Sequence, residues 1–317
     1  MGVELKTPKV KDTSIKRKMN VDQLIKQLGA GGGFVAKKVD LAVDIWKKMI
    51  MDKKCVKFFS FPACVVATGC RGVIRDLVKR KLVDVLITTC GTLDHDIARC
   101  WRGYYHGEFV TDDARLRKHG INRLGNIFIP DESYGEILEE KIQPILKNMW
   151  RAGKNRFSVK ELVWELGRRL KRNSILYWTW KNKIPVYVPG IFDGAVGSQL
   201  WLFWQTHREL KIDQFEDQQE LADITFSAEK TGAIIIGGGI SKHHTIWWNQ
   251  FRGGLDYAVY ITTAVEWDGS LSGARVREAI SWKKVKPNAA HVTVEGDATV
   301  FLPLITTALL QRVGSSR

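Results

Sequence analysis

Apolar residues recur at helical spacing near the start of the chain. Between residues 21 and 51, positions such as Leu24, Leu28, Leu41 and Ile45 fall on the inner faces of helices. A glycine-rich run at residues 29–33 interrupts the pattern. No strand pattern precedes this run and no Gly-Lys-Ser/Thr follows it, so it indicates a break between two helices and not a phosphate loop.

From residue 56 onward the pattern changes to short β-branched and aromatic runs separated by helical stretches. Such runs suit strands that are covered on both faces, as in a parallel sheet with crossover helices. The predicted strands are 56–61, 83–89, 186–189, 233–236, 258–263 and 292–294. The predicted helices include 136–150, 159–170, 217–229 and 298–312. The pattern therefore predicts an α/β fold: a doubly wound, mainly parallel, Rossmann-like sheet with helices on both faces and a helical N-terminal extension.

The domain organisation follows from the same pattern. No repeat, low-complexity linker or proline-rich hinge divides the chain. Residues 1–20 are polar and basic, and we expect them to form a mobile N-terminal arm. Although 317 residues would permit two domains, we expect residues 21–317 to form a single domain.

The charge balance is strongly basic, with 49 Lys and Arg residues against 34 Asp and Glu residues and a net charge of +15. These charges are scattered and flank helical apolar positions, which indicates solvated faces; solubility or an acidic protein partner explains the excess. Nucleic acid is not expected as the main partner. The chain has neither an apolar run of membrane-spanning length nor a secretory leader, so we expect a cytoplasmic protein without membrane contact.

The five cysteines lie between residues 55 and 100. Their number is odd, and no CxxC pair or neighbouring histidine has the spacing of zinc ligands. We therefore expect reduced, mostly buried thiols and no metal site.

Small residues follow four of the predicted strands, at 88–91, 189–194, 237–239 and 262–264. In a doubly wound fold, ligands bind beyond the carboxyl ends of the strands. These positions therefore leave room for a nucleotide across the sheet. A GxGxxG fingerprint is absent, which disfavours a standard dehydrogenase.

Four segments carry a resemblance to a known family. They are VDVLITTCG at 83–91, GINRLGN at 120–126, IIGGGISKHH at 235–244, and the region that runs from DYAVY at 256 to SWKK at 281–284. In this order and spacing they resemble deoxyhypusine synthase, and in particular its archaeal branch. The resemblance covers about residues 20–313.

The resemblance implies a particular reaction. The family oxidises the secondary amine of spermidine with NAD and releases diaminopropane. The 4-aminobutyl group then passes through an imine on an enzyme lysine to a specific lysine of translation initiation factor 5A. NADH reduces the final imine, and the product is deoxyhypusine. Family members are usually homotetramers with sites at subunit boundaries, where a basic arm can cover a neighbouring site.

By this resemblance the catalytic residues are Lys284 and His243. An ordinary lysine has a pKa of about 10.4 and is protonated at neutral pH, so the chemistry requires apolar walls or nearby cations that free the amine. Lys283 stands where the family has glycine, and we expect it to face solvent from a helix. A neutral imidazole at His243 can accept a proton during oxidation. The neighbouring His244 is expected to be structural.

The resemblance also implies the binding residues. The amine would contact Asp94, Gly269, Ser270, Glu278 and Trp282, with a carboxylate pairing an ammonium and an indole flanking the methylene chain. The cofactor would contact Thr89, Cys90, Gly91, Asp193, Gly238, Thr263, Ala264, Asp297 and Ala298. Asp193 has an alternative role, because it could cap the helix that follows Gly194.

Three positions depart from the better-known eukaryotic pattern of the family, and each departure removes a negative charge. His95 replaces a glutamate, while Ser198 and Leu271 replace aspartates. Spermidine is a trication, and each desolvated ammonium needs a partner. Either the fewer acids that remain (Asp94, Glu278 and Asp268) bind it together with water, or the donor is another amine such as agmatine.

Two other functions are compatible with the sequence. The acceptor could be a small amine, as in the related homospermidine-forming enzymes. Alternatively, the chain could be a non-catalytic basic module that binds RNA or a ribosomal partner, which would have no use for Lys284, His243 and Glu278.

Overall fold

A computed structural model describes residues 7–314. The α-helices are α1 (Val21–Gly31), α2 (Phe34–Met51), α3 (Cys70–Lys79), α4 (Cys90–Ala98), α5 (Asp113–Lys118), α6 (Gly135–Arg151), α7 (Val159–Gly167), α8 (Ile175–Asn182), α9 (Ala195–Thr206), α10 (Gln214–Ser227), α11 (Gly239–Gln250), α12 (Glu278–Ser281) and α13 (Ala298–Gly314). The strands are β1 (Cys55–Ser60), β2 (Val85–Ile87), β3 (Tyr105–His106), β4 (Ile121–Leu124), β5 (Ile127–Pro130), β6 (Arg156–Phe157), β7 (Val186–Tyr187), β8 (Lys211–Ile212), β9 (Lys230–Ile236), β10 (Leu255–Thr262) and β11 (Val285–Glu295). Single 3₁₀ turns lie at Ala63–Ala67 and Asp131–Ser133.

Six parallel strands form the central sheet, in the order β11-β10-β9-β1-β2-β7. All six predicted strands belong to it. Counted along the chain, their order is 3-2-1-4-5-6, which is that of the doubly wound dinucleotide-binding folds. The winding direction reverses between β1 and β9, so a crevice forms at the carboxyl ends of these strands. The predicted fold class is therefore confirmed.

Each face of this sheet is covered by its own core. In β9, Ala233 and Ile235 pack on residues of α10, α11 and α12, whereas Ile234 and Ile236 belong to the core under α2, α3 and α13. Both faces are thus removed from water. This double coverage explains why the strand segments are continuously apolar and do not alternate with polar residues.

The N-terminal extension consists of α1 and α2. A capping box starts α1, in which Gln23 N donates to Asn20 Oδ1 (2.8 Å) and Asn20 N donates to Gln23 Oε1 (3.0 Å). Gly32 then adopts a φ of 72° and ends the helix. The glycine-rich run is therefore a break between helices, as predicted.

Arg312 of α13 connects both N-terminal helices to the C-terminal one. Its guanidinium lies 2.6 Å from Asp22 Oδ1, 2.9 Å from Asp40 Oδ1 and 2.6 Å from Asp44 Oδ1. Arg312 and Asp22 are each only 6% exposed. This cluster joins one residue of α1 and two of α2 to α13.

The predicted basic arm is described in part, because residues 1–6 lie outside the described residues. Residues 7–20 contain no helix or strand and are largely exposed. Lys11 N donates to Ala30 O (3.2 Å), and Ser14 N donates to Gln27 Oε1 (2.6 Å). This part of the arm therefore lies along α1.

Two small sheets were not predicted. An antiparallel sheet has the order β3-β5-β4, and β6 pairs in parallel with β8. The predicted helices agree with the structure to within a few residues. For example, α10 begins at Gln214 and not at 217, because the Asp213 side chain accepts from Phe215 N and Glu216 N.

All five cysteines are free thiols, and four of them are buried, with Cys64 the exposed one. Burial raises the pKa of Cys55 to about 12 and that of Cys100 to about 11. Reduced, mostly buried thiols are thus confirmed. Within residues 7–314, no helix has the length and apolarity that a membrane crossing would require.

Candidate active site

A cavity of about 550 Å³ lies beside α11, where the 270–278 segment and α12 face that helix. It contains the predicted catalytic residues Lys284 and His243 and the predicted amine-binding residues Glu278, Trp282 and Ser270. It also contains several residues without a predicted role, among them Lys242, Trp247, Tyr260, Leu271 and Arg275. Five residues chosen from sequence thus meet in one cavity.

Lys284 is positioned by a Schellman motif at the end of α12. Lys283 N donates to Ile280 O (3.0 Å), and Lys284 N donates to Ala279 O (3.0 Å). Lys283 between them has a left-handed φ of 58°. The Lys284 carbonyl accepts from Leu255 N (3.1 Å), which anchors it at the start of β11.

This geometry corrects one expectation from the sequence. Lys283 is exposed, as predicted, but neither lysine lies on a helix, because α12 ends at Ser281. A left-handed φ favours glycine, since it has no Cβ. The backbone thereby explains why the family pattern has glycine at position 283.

The Lys284 side chain lies between two indole rings. Its Nζ is 5.2 Å from the centre of the Trp282 ring and 5.9 Å from that of Trp247. Lys284 is half-buried, whereas Trp282 is 64% and Trp247 42% exposed. The amine therefore lies in an aromatic environment near the mouth of the cavity.

His243 lies on α11 one turn before Trp247, and the two rings stack with centres 5.5 Å apart. Partial burial and the nearby charge of Lys284 lower the pKa of His243, which favours a neutral imidazole. His244 does not border the cavity. Burial lowers the pKa of His244 to about 4, in agreement with the structural role predicted for it.

The other residues predicted to bind the amine lie in two places. Gly269 belongs to a tight turn beside the cavity, in which Asp268 accepts from Ser270 N (3.1 Å) and from Ser270 Oγ (2.7 Å). These hydrogen bonds lower the pKa of Asp268. Among the cavity-lining residues that the structure describes, Glu278 is the one carboxylate.

Asp94 lies elsewhere and is fully buried. Its carboxylate accepts from Ala195 N (3.0 Å), Val196 N (2.8 Å) and Tyr134 Oη (2.7 Å). Burial raises the pKa of Asp94, although these hydrogen bonds act to lower it. Asp94 therefore caps α9 within this subunit and does not border the Lys284 cavity.

The three positions that lack the family's acids are not adjacent to one another. His95 is buried against Tyr104 and Tyr134, and Ser198 is exposed on α9, where its hydroxyl donates to Gly194 O. Only Leu271 of the three borders the Lys284 cavity, and it is 62% exposed. Of the three acids that this chain lacks, only the one at position 271 would therefore have added a negative charge to this cavity.

A second cavity, of about 370 Å³, opens at the carboxyl ends of β9, β10 and β11. Three predicted cofactor residues, Thr263, Asp297 and Ala298, line it. Asp297 also caps α13, because its Oδ1 accepts from Thr299 N (2.6 Å) and Thr299 Oγ1 (2.5 Å). This cavity occupies the position at which doubly wound folds bind their ligands.

The turn at 237–239 separates the two cavities, since Gly237 borders the carboxyl-end cavity and Gly239 borders that of Lys284. Gly237 and Gly239 have φ values of 68° and 74°. A Cβ on Gly238 would lie 2.7 Å from Ser272 Cα. Both close approach and backbone conformation therefore require glycine here.

Ala264 lies in the loop that follows β10, and its carbonyl oxygen accepts a hydrogen bond from Arg275.

The remaining predicted cofactor residues lie at the ends of β2 and β7. Thr89 Oγ1 accepts from Ala63 N (3.1 Å), and a Cβ on Gly91 would lie 2.8 Å from that of Ala63. Cys90 is buried under Gly194. The Asp193 side chain is exposed and makes no hydrogen bond within residues 7–314. The helix-capping role considered for Asp193 is wrong, because Asp94 caps α9.

Sequence reasoning missed several lining residues. Pro62, Cys64, Val65 and Thr68 follow β1 and border the carboxyl-end cavity, together with the tip of the β4–β5 hairpin. The hairpin was marked only by its family motif at 120–126. The segment after β1 is apolar and carries no motif that would have indicated it.

Lys242 was also missed, although it lies inside the quoted glycine motif. It is 6% exposed, and its Nζ donates to Leu271 O (3.2 Å) and Ala274 O (3.0 Å). Burial, together with the charges of Arg275 and Lys284, lowers the pKa of Lys242 to about 8 despite the opposing effect of Glu278. Its position next to the predicted catalytic residue His243 was the one feature of the sequence that could have indicated its role.

The fold and the two cavities define a class of protein: doubly wound α/β proteins with a nucleotide-sized crevice at the strand ends and a lysine amine in an adjoining cavity. The family model for deoxyhypusine synthase matches residues 23–309. Relatives named as deoxyhypusine synthases from Picrophilus torridus and Thermoplasma acidophilum are 58% and 54% identical. Each alignment covers 97% of this chain, and they cover 98% and 99% of the relatives, respectively.

Solved structures show the same fold. A crystal structure assigned as a deoxyhypusine synthase of Entamoeba histolytica has a TM-score of 0.67 at 21% identity, over 94% of this chain and 96% of that chain. The ternary complex of AgrE with ornithine and NAD+ has a TM-score of 0.52 at 14% identity, over 89% of this chain and 34% of that chain. The chain belongs to the deoxyhypusine synthase family, and the family's enzymatic activity is aminobutyl transfer from spermidine.

Proposed function

We propose that this enzyme transfers the 4-aminobutyl group of spermidine, in an NAD-dependent reaction, to a specific lysine of translation initiation factor 5A. Lys284 carries the group as an imine. The observation that carries the proposal is the enclosure of the Lys284 amine between two indoles, with His243 and Glu278 in the same cavity. A solvated surface lysine would have no such surroundings.

Each of the predicted residues in the Lys284 cavity has its own role in this reaction. Glu278 pairs with an ammonium of the donor, and Trp282 flanks its methylene chain. The imidazole of His243 accepts the proton that the donor nitrogen loses during oxidation, a role that its lowered pKa supports. The neutral amine of Lys284 then attacks the oxidised carbon.

NAD supplies the hydride acceptor for this reaction. The carboxyl-end cavity suits a dinucleotide in its position, because it opens at the strand ends where doubly wound folds bind such ligands and is lined by Thr263, Asp297 and Ala298. Thr263, Asp297 and Ala298 would hold it on one side, and Thr89, Cys90, Gly91 and Asp193 on the other. Ala264 and Gly238 complete the predicted set. The complex of the structural neighbour AgrE with NAD+ supports this use of the fold.

The amine donor has a second candidate, because Glu278 is the one carboxylate found among the described lining residues and Leu271 replaces a family acid. An amine with fewer cationic groups, such as agmatine, would need fewer acidic partners. A small-amine acceptor in place of the protein is the matching alternative for the second half of the reaction.

We further propose a cytoplasmic homotetramer whose sites lie at subunit boundaries. The exposed indoles that line this cavity, Trp247 and Trp282, support a partner surface there. In this assembly Asp94 and the basic arm would act on the site of a neighbouring subunit.

The adjacent lysines offer a matched test. With NAD, labelled spermidine and the translation factor, Lys284→Arg should reduce label transfer at least about a thousandfold, because arginine keeps the charge but forms no imine. Lys283→Arg should retain transfer.

Borohydride trapping followed by peptide mapping should place the reduced adduct on Lys284, and its mass identifies the donor when spermidine and agmatine are compared. Full transfer by Lys284→Arg, or an adduct on Lys283, would contradict the proposal. Label that appears only in small products would favour the small-amine acceptor.

A further inference from the structure

Trp247 is an indole on α11 that no core requires. Trp248, its neighbour, packs on the sheet and donates its indole N–H to Gln218 Oε1 (3.0 Å). Trp247 points the other way and is 42% exposed, with its ring at the Lys284 cavity. A large apolar side chain at the edge of a catalytic cavity calls for a functional explanation.

The ring of Trp247 belongs to an aromatic row along one face of α11. His243, Trp247 and Phe251 are each four residues apart and therefore lie on the same face. Trp247 stacks on His243 at 5.5 Å with an angle of 27°, and meets Phe251 edge-on at 5.7 Å. These contacts hold Trp247 at a fixed distance from the imidazole.

Trp282 presents a second indole to the Lys284 amine, which also lies near the Trp247 ring. Lys284 Nζ is 5.9 Å from one ring centre and 5.2 Å from the other, and both distances fall within the range of cation–π attraction. The two rings come from different elements, since Trp247 lies on α11 and Trp282 follows α12. A positive charge at this nitrogen therefore has two aromatic neighbours.

The charge at this nitrogen changes during the reaction. The neutral Lys284 amine adds to the C=N carbon of the oxidised donor, and one of its protons passes to the departing nitrogen. The bond between that nitrogen and the carbon breaks, so diaminopropane leaves as a free amine. The positive charge that the donor imine carried ends on Lys284 as a protonated imine, without any oxidant in this step.

We propose that Trp247 is a positioning residue that, together with Trp282, encloses and stabilises the protonated imine on Lys284. The role rests on the proposed function. The delocalised charge of an imine is less strongly hydrated than a compact ammonium, so it loses less on entering the space between two indoles. The stack with His243 aligns the proton acceptor with the same nitrogen.

The test measures adduct formation in variants of Trp247. Enzyme, NAD and spermidine are mixed without acceptor, quenched with borohydride over time and mapped by mass. Trp247→Leu should form the Lys284 adduct about tenfold more slowly, the effect of one cation–π contact of ordinary strength. Trp247→Phe, which keeps a ring, should stay within about threefold of the unmodified enzyme.

Trp201→Leu provides the matched control, since Trp201 is also an exposed indole, on α9, and does not line the Lys284 cavity. Thermal unfolding of each variant identifies any general loss of structure, and Trp247→Gln serves as a second ring-free variant if the leucine variant unfolds. In steady state, kcat should fall more than the KM for spermidine rises.

Three results would overturn the inference: equal rates for Trp247→Leu and Trp201→Leu, equal defects in the phenylalanine and leucine variants, or an effect confined to KM. A lack of any adduct in the unmodified enzyme would instead refute the proposed function, and the role of Trp247 with it.

Discussion

At the scale of single residues, His95 shows how one substitution changes the protonation of a buried site. Its Nδ1 lies 2.9 Å from Tyr104 Oη, and its ring packs against Tyr134. Burial, with a smaller effect from Arg99, lowers the pKa of His95 to about 4. The family's glutamate would bury a negative charge here, whereas the histidine is neutral at pH 7.

This residue makes the stability of the protein depend on pH. In the unfolded chain the His95 imidazole binds a proton near pH 6.5, but in the folded chain only near pH 4, so acid favours unfolding within that window. Between pH 7 and 4.5 the free energy of unfolding should fall by about 2 kcal/mol through His95 alone.

Urea unfolding at both pH values measures this dependence. His95→Gln should lose less stability in acid than the unmodified protein does, while His119→Gln, at an exposed position, should behave like the unmodified protein. An unchanged acid dependence in His95→Gln would contradict the assignment.

At the scale of elements, the junction of α12 and β11 determines where Lys284 lies. The left-handed φ of 58° at Lys283 is unfavourable for a residue with a Cβ. Lys283→Gly should therefore stabilise the protein by up to about 1 kcal/mol, with strain relief partly offset by the greater flexibility of glycine in the unfolded chain.

Lys283→Val should destabilise it, since a β-branched residue tolerates this backbone conformation least. Denaturant midpoints of the two variants are the measurement. A destabilising Lys283→Gly would mean that the Schellman geometry is not maintained in solution.

The elements differ in how well sequence could predict them. All six central strands were predictable because each contains a buried, mostly apolar segment, although β11 extends well beyond its predicted residues 292–294 into a polar, partly exposed stretch. The strands β3 to β6 and β8 have only two to four residues each, too short for a pattern to emerge. The helix expected at Lys284 was wrong because α12 is one turn long and its end depends on hydrogen bonds to Ala279 and Ile280.

The candidate site was predictable mainly through its motifs. Residues in the quoted segments, such as His243 and Lys284, meet as expected. Trp247 could not be distinguished from Trp248 by spacing, because adjacent indoles on a helix indicate a core face as readily as a cavity. The hydrogen bonds of Asp94 to α9 could not be predicted, because the backbone amides involved lie about a hundred residues away in sequence; its predicted role in amine binding stays a prediction.

At the scale of the whole molecule, the Arg312 cluster holds the N-terminal extension on the domain. Arg312→Ala would leave Asp22, which is 6% exposed, with Lys26 as its remaining cationic partner and would break the pairs with Asp40 and Asp44. Removing the shared cation of a buried ion cluster costs about 3 kcal/mol, so the free energy of unfolding measured with urea should fall by about that amount.

Protease cleavage at the glycine-rich run between α1 and α2 should become faster in the same variant. Arg75→Ala, which breaks a partly exposed pair with Asp76, is the control and should cost less than about 1 kcal/mol. Equal costs for the two variants would show that the cluster does not hold the extension.

The same cluster brings two distant parts of the chain close enough for a circular permutation. Asp22 N also donates to Gln311 Oε1 (2.9 Å), so positions 22 and 312 lie side by side where α1 meets α13. A short flexible peptide could join them, and a circular permutant could then start at the exposed turn of Gly153. In such a permutant α13 would lead directly into α1, and both cavities would keep all of their lining residues.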